Sequence, residues 1–149
     1  MDSAHYNPNM RVIYGTHEQH SCAAADGFAR MSGKPGLVFV TSGPGITNIL
    51  TSVCNAWYDS IPLFVVCGQV ATNRLMTVED RLAGMRARGF QETPIVEIFR
   101  PVTKMAVQVT HTMDVKARLD QLWFMATEGR PGPVLMDICD DIQRMEIDA

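Results

Sequence analysis

Four short runs of apolar residues punctuate the chain: "RVIYG" at 11–15, "LVFVTS" at 37–42, "LFVVCG" at 63–68 and "PVLMDIC" at 133–139. They are continuous rather than alternating, the pattern of strands buried on both faces of a parallel sheet. "KMAVQV" at 104–109 is a weaker fifth strand candidate. Between them the period changes to that of a helix. Over 44–58, Ile46, Ile49, Leu50, Val53 and Trp57 share one face; over 114–128, Val115, Leu119, Leu122, Trp123 and Ala126 do the same. Asp114 is placed to cap the second of these, and Gly129 to stop it. A helix over 19–32 ends at Gly33 with Pro35 beyond. A shorter one over 92–101 would take Thr93 as its cap and Pro94 at its first helical position. Strand–helix repetition of this kind predicts right-handed crossovers and an α/β fold: a doubly wound, mainly parallel sheet with helices on both faces.

Two stretches break the rhythm. Residues 70–91 form a long, charged segment with little β character, the sort of loop that carries function. Residues 1–10 read as a loop or the tail of a helix, with a turn at Asn7-Pro8, where an α/β domain would ordinarily open on a strand.

The chain has 149 residues, enough for one domain with a real core. Its 46% hydrophobic and 19% charged content argues for a folded protein, and its net charge of -3 gives no reason to expect nucleic acid. Cys22, Cys54, Cys67 and Cys139 are scattered without a C-x-x-C pair, which reads as reduced thiols in a cytoplasmic protein. The polar start has no signal-peptide pattern, and no apolar run is long enough for a membrane span.

The candidate chemistry lies at loop–helix junctions. "HEQH" places His17 and His20 three apart, not the four that put two metal ligands on one helical face, so no metal site is expected there. "GFARMSGKP" has the wrong spacing for a phosphate-binding loop and Pro35 where the hydroxyl residue would stand. "GPGITN" at 43–48 follows a strand and opens a helix, at the sheet edge where open α/β folds bind ligands. Gly43 and Gly45 serve there either a sharp turn or a close approach to a ligand. Glu18 lies on the same edge. A carboxylate at a helix start can simply favour the helix dipole. Yet Ala23, Ala24, Ala25 and Gly27 make a surface that a neighbour could pack against. Burial beneath one would raise the glutamate's pKa and suit it to proton exchange.

Together these segments, with "GFQE", "RPVTKMAVQV" and "GRPGPVLMDICDDIQ", resemble the N-terminal pyrimidine-binding domain of thiamine-diphosphate enzymes, and most of all the acetolactate synthase (acetohydroxyacid synthase) group. The resemblance covers nearly all of residues 11 to 144. It implies that Glu18 is the glutamate that hydrogen-bonds the cofactor's aminopyrimidine ring. Gly43, Pro44, Gly45 and Asn48 would line that pocket, with Gln69 near the same edge. Phe90 and Gln91 would reach the substrate side.

It further implies decarboxylation of pyruvate and carboligation to a small 2-oxo acid, within a homo- or hetero-oligomer. The diphosphate and its Mg would be held by a diphosphate-binding domain or subunit marked by a Gly-Asp-Gly motif, which this sequence lacks; FAD is possible in the full enzyme. The expectation is therefore a single pyrimidine-binding domain over 1–149, missing its first strand and without the central and diphosphate domains, inactive alone. The alternatives are part of another thiamine-diphosphate 2-oxo acid decarboxylase or lyase, or a non-catalytic dimerisation module.

Overall fold

The computed structural model describes residues 6–147. Four strands form one sheet: β1 (Gly36–Val40), β2 (Leu63–Gln69), β3 (Met105–Val109) and β4 (Val134–Cys139). Their spatial order is β1-β2-β4-β3 and every pairing is parallel, with Leu37 opposite Phe64, Val65 opposite Leu135 and Val107 opposite Met136. Parallel neighbours need long crossovers, and helices supply them.

The helices are α1 (Glu18–Ser32), α2 (Pro44–Asn48), α3 (Leu50–Asp59), α4 (Val78–Leu82), α5 (Ile95–Phe99), α6 (Thr112–Thr127) and α7 (Asp140–Gln143), with 3₁₀ turns at Thr72–Arg74 and Arg100–Val102. One core cluster joins α1, α2, α3 and α5 to the sheet through Cys22, Ile46, Val53, Phe99, Val65 and Leu135. A second, across the sheet, joins α6 and α7 to it through Leu122, Ala126, Ile142, Phe64 and Met136. Helices thus cover both faces, the doubly wound arrangement that the continuous apolar runs predict.

Local chemistry sets the ends of α1. His17 is extended and accepts the Gln19 N–H through Nδ1 at 3.2 Å, capping the helix; Gly33 ends it at φ 70°, its N–H on the Ala29 carbonyl. The helix lies so close to the sheet that a Cβ at Gly36 would collide with the Ala25 carbonyl. Of the small residues expected to form a packing surface, Ala25 is turned toward β1, while Ala23 and Ala24 are exposed and a Cβ at Gly27 would meet nothing.

Several sequence expectations need correction. The run 11–15 forms no strand: Ile13 and Tyr14 are exposed, and no described strand pairs with it. β-rich composition makes a strand only when a neighbour offers a ladder. The helix expected over 44–58 is broken at Ile49, whose N–H turns to the Ile46 carbonyl, three residues back. In α6 the cap is His111, so Asp114 sits within the first turn; the buried centre is Leu122 and Ala126, while Leu119 and Trp123 lie at its margins. α5 is capped at Pro94 rather than Thr93 and gives way to a 3₁₀ turn after Phe99. The long segment after β2 is partly structured: Thr77 and Asp80 make a reciprocal capping box that starts α4. The turn at Asn7-Pro8 is present, with the Asn7 side chain accepting the Asn9 N–H. Residues 1–5, included in the expected opening loop or helix tail, lie outside the described residues.

Candidate active site

Glu18 is the first residue of α1, and its side chain meets the turn that follows β1. Asn48, at the end of α2, donates through Nδ2 to Glu18 Oε2 at 3.2 Å. Gly45 packs beside this pair: a Cβ built there would meet Thr41 Cγ2 at 2.5 Å and stand at ordinary contact, 3.8 Å, from Glu18 Oε1. Gly43 opens α2 at φ 60°, ψ −119°, a backbone conformation open to glycine and strained for other residues. A Cβ there would meet the Gln91 side chain at 2.7 Å. The two glycines therefore do more than turn the chain. One packs against Thr41 beside the Glu18 carboxylate, and the other seats Gln91.

Four of the sequence-predicted residues, Glu18, Gly45, Asn48 and Gly43, thus converge, and Gln91 is drawn in through Gly43. Pro44 occupies the first turn of α2 and is exposed. Phe90 projects into solvent at 84% exposure, next to Gln91, whose own φ is 60°. Gln69 differs. It is buried at the end of β2, its amide donates to the Thr93 carbonyl and to Asp137 Oδ2, and its oxygen accepts the Val70 N–H. Its side chain serves the interior rather than the Glu18 group.

The Glu18 carboxyl lies below its ordinary value, not above it. A hydrogen bond from its own backbone N–H at the helix start is the main cause, helped by Asn48 and the nearby His17 and only partly opposed by desolvation. The side chain is half-buried, so burial does not dominate.

Two further polar residues gave little sign of themselves in the sequence. Asp137 is fully buried in β4, where it accepts from Gln108 at 2.9 Å, Gln69 at 3.1 Å and the Cys67 thiol at 3.4 Å. Burial raises its pKa despite those three donors. A lone aspartate inside "PVLMDIC" was the available signal, because a buried charge requires partners. Glu92, the last residue of "GFQE", accepts three backbone N–H groups, a role the string itself does not reveal. A cleft of about 390 Å³ lies beside this region, lined by Gln69, Gln108, Arg81, Arg86, Arg118 and Glu97 among others, and does not include Glu18. Among the described residues no group of three His, Cys, Asp or Glu is arranged to hold a metal ion.

Residues 1–96 match the family described as thiamine pyrophosphate enzyme, N-terminal TPP binding domain. The chain belongs to the thiamine pyrophosphate enzyme family. Within this family it is similar to curated proteins named acetolactate synthase. It is 43% identical over 136 residues to the chloroplastic acetolactate synthase of Arabidopsis thaliana, an alignment covering 91% of this chain and 19% of that protein. It is 40% identical over 141 residues to the mitochondrial acetolactate synthase catalytic subunit of Saccharomyces cerevisiae, covering 95% of this chain and 19% of that one. The chain thus spans about a fifth of the length of these relatives. Membership of the thiamine pyrophosphate enzymes agrees with the parallel sheet. No described helix of this family member is long and apolar enough to cross a membrane.

Proposed function

We propose that this chain is the pyrimidine-binding part of an acetolactate synthase-like enzyme, with Glu18 as its catalytic carboxylate. One observation carries the reading: Asn48 holds Glu18 beside the tightly packed Gly43–Gly45 turn, at the C-terminal edge of a parallel sheet. These residues suit an aminopyrimidine. An ionised carboxylate can accept a hydrogen bond from a ring N–H. Bound there, thiamine diphosphate would supply the carbanion chemistry for decarboxylating pyruvate and joining the two-carbon unit to a second 2-oxo acid.

The chain's own residues would do the rest. Asn48 orients the Glu18 carboxylate through Oε2, leaving Oε1 toward Gly45. Covering this half-exposed group with a ligand would raise its proton affinity toward that of a ring nitrogen, so Glu18 could hold or release a proton there. Gly43, Pro44 and Gly45 shape the wall. Phe90 and Gln91 face the substrate side, while Gln69 supports that segment from within. The diphosphate and its Mg would be held by a separate diphosphate-binding domain or subunit, and FAD is compatible with the complete enzyme. The open position of Glu18 on the sheet edge and the exposed Phe28 and Met31 of α1 support assembly with such a partner in an oligomer. We take 1–149 as part of one pyrimidine-binding domain. The relatives named above are chloroplastic and mitochondrial; for this chain, four free cysteines suit the cytoplasm as well as any other thiol-reducing compartment.

The test is a polypeptide that joins this chain to a diphosphate-binding domain, supplied with thiamine diphosphate and Mg and offered a panel of 2-oxo acids. Acetolactate formed from pyruvate is the expected product. Aldehyde alone would transfer the chain to the simple decarboxylases.

A further inference from the structure

Glu92 ties together both ends of the segment that carries Phe90 and Gln91. Its Oε1 accepts the Met76 N–H at 2.7 Å; its Oε2 accepts the Arg88 N–H at 2.8 Å and the Gly89 N–H at 3.1 Å. Met76 lies before α4, and Arg88 and Gly89 after it, so this carboxylate closes the loop 76–89; Asp80 makes a second link, accepting the Thr77 N–H at 2.9 Å and meeting the Arg88 guanidinium at 3.4 Å. The Glu92 N–H returns to the Gly89 carbonyl at 3.2 Å and completes a tight turn around Phe90 and Gln91.

The same turn is braced on its other sides. Gly89 is buried so closely on Val70 that a Cβ would meet Val70 Cγ1 at 2.6 Å. Gln91, at φ 60°, is seated on Gly43, and the Thr93 carbonyl is held by Gln69. The loop itself contributes little burial: Val78, Leu82 and Met85 are exposed. With few apolar contacts to hold it, its order rests on polar links: the three Glu92 bonds to its ends, and within it the Thr77–Asp80 capping box and the Asp80–Arg88 pair.

We propose that Glu92 is the positioning residue of this loop, holding Gln91 against the Gly43 turn and presenting Phe90 at the mouth of the Glu18 site. Its consequence for substrate rests on the reading of Phe90 and Gln91 given above; the clamp itself does not. Only a carboxylate satisfies all three donors. A glutamine has one acceptor oxygen, and its NH₂ would face a backbone N–H at one end of the loop. An aspartate is one methylene shorter and cannot span from the Arg88–Gly89 turn to Met76.

Amide hydrogen exchange followed by NMR on the chain tests the clamp. In Glu92→Gln, the amides of Met76 or of Arg88 and Gly89 should exchange about tenfold faster or more, with β2 and β4 unchanged. In Glu92→Asp only the Met76 amide should loosen. Unchanged rates at all three amides in Glu92→Gln, or loosening shared by the whole sheet, would overturn the proposal. In the complete enzyme, Glu92→Gln should raise KM for the 2-oxo acid more than it lowers kcat, with Glu92→Asp recovering part of the loss. Loosened amides with both parameters unaltered would leave the loop clamp standing and overturn its role toward substrate. Loss of activity in Glu18→Gln reports separately on the enzyme reading.

Discussion

Asp137 shows how a single buried side chain can be both necessary and costly. Its carboxylate gathers two glutamine amides and a thiol, yet desolvation raises its pKa. Asparagine in its place can keep every bond: its oxygen takes the position facing Gln69 and Gln108, and its NH₂ faces the Cys67 sulfur, a weak acceptor. Asp137→Asn should therefore unfold at no lower urea concentration than the parent at neutral pH. Asp137→Leu strands a buried Gln69 N–H and should cost about 1–3 kcal/mol. Equal loss in the two variants would contradict this account. At this scale the sequence is legible where chemistry has a fixed pattern. The glycines at 43 and 45 stand at a strand-to-helix junction, where open α/β folds collect ligands, and Glu18 meets that junction from the start of α1. The uncovered Glu18 carboxyl lies low because its hydrogen bonds come from its own backbone and from Asn48, thirty residues away, a partner that no local pattern shows. Gln69 likewise looks like a site residue but turns inward, because β4 brings Asp137 beside it.

Among the elements, the meeting of α1 and β1 positions the Glu18 end of the site. The Ala25 carbonyl rests against Gly36. Gly36→Ala must push the helix off the sheet or bend the strand. It should lower stability by about 1–3 kcal/mol, measured by thermal unfolding. No change in Tm would mean that the helix is not seated as described. Strands β1, β2, β3 and β4 were readable from continuous apolar runs, and α1 from its glycine stop. The run 11–15 was not, because periodicity describes one segment and a strand needs a second. α4 was missed because five residues give no period; only the Thr77–Asp80 spacing hinted at it. The kink at Ile49 leaves the apolar face unbroken, so the sequence pattern passes straight through it.

For the whole molecule, acid should act in two opposite ways. Glu18, Glu92 and Asp141 have carboxyls below their ordinary values, Glu92 because three backbone N–H bonds and Arg81 together outweigh its burial, Asp141 chiefly through Thr72. Their stabilisation is present above the unfolded values, near 4.5 for glutamate and 3.8 for aspartate, and fades as pH falls through the lower folded values. Asp137 runs the other way. Its folded pKa is raised, so its penalty is felt above that value and lifts as pH falls toward 3.8. A urea-stability profile against pH should rise slightly on mild acidification and then drop, and Asp137→Asn should remove the rise alone. A profile that falls steadily from neutrality in both proteins would contradict the assignment.

The central claim is that Glu18 is the carboxylate that works with the cofactor, and the most direct measurement is steady-state acetolactate formation from pyruvate. It compares a complete enzyme carrying this chain with its Glu18→Gln variant, which keeps the size and the reach to Asn48 but removes the charge. The account predicts a fall in kcat of about 10²-fold or more, as expected when a positioned proton-transfer group is lost. An unchanged kcat would contradict it.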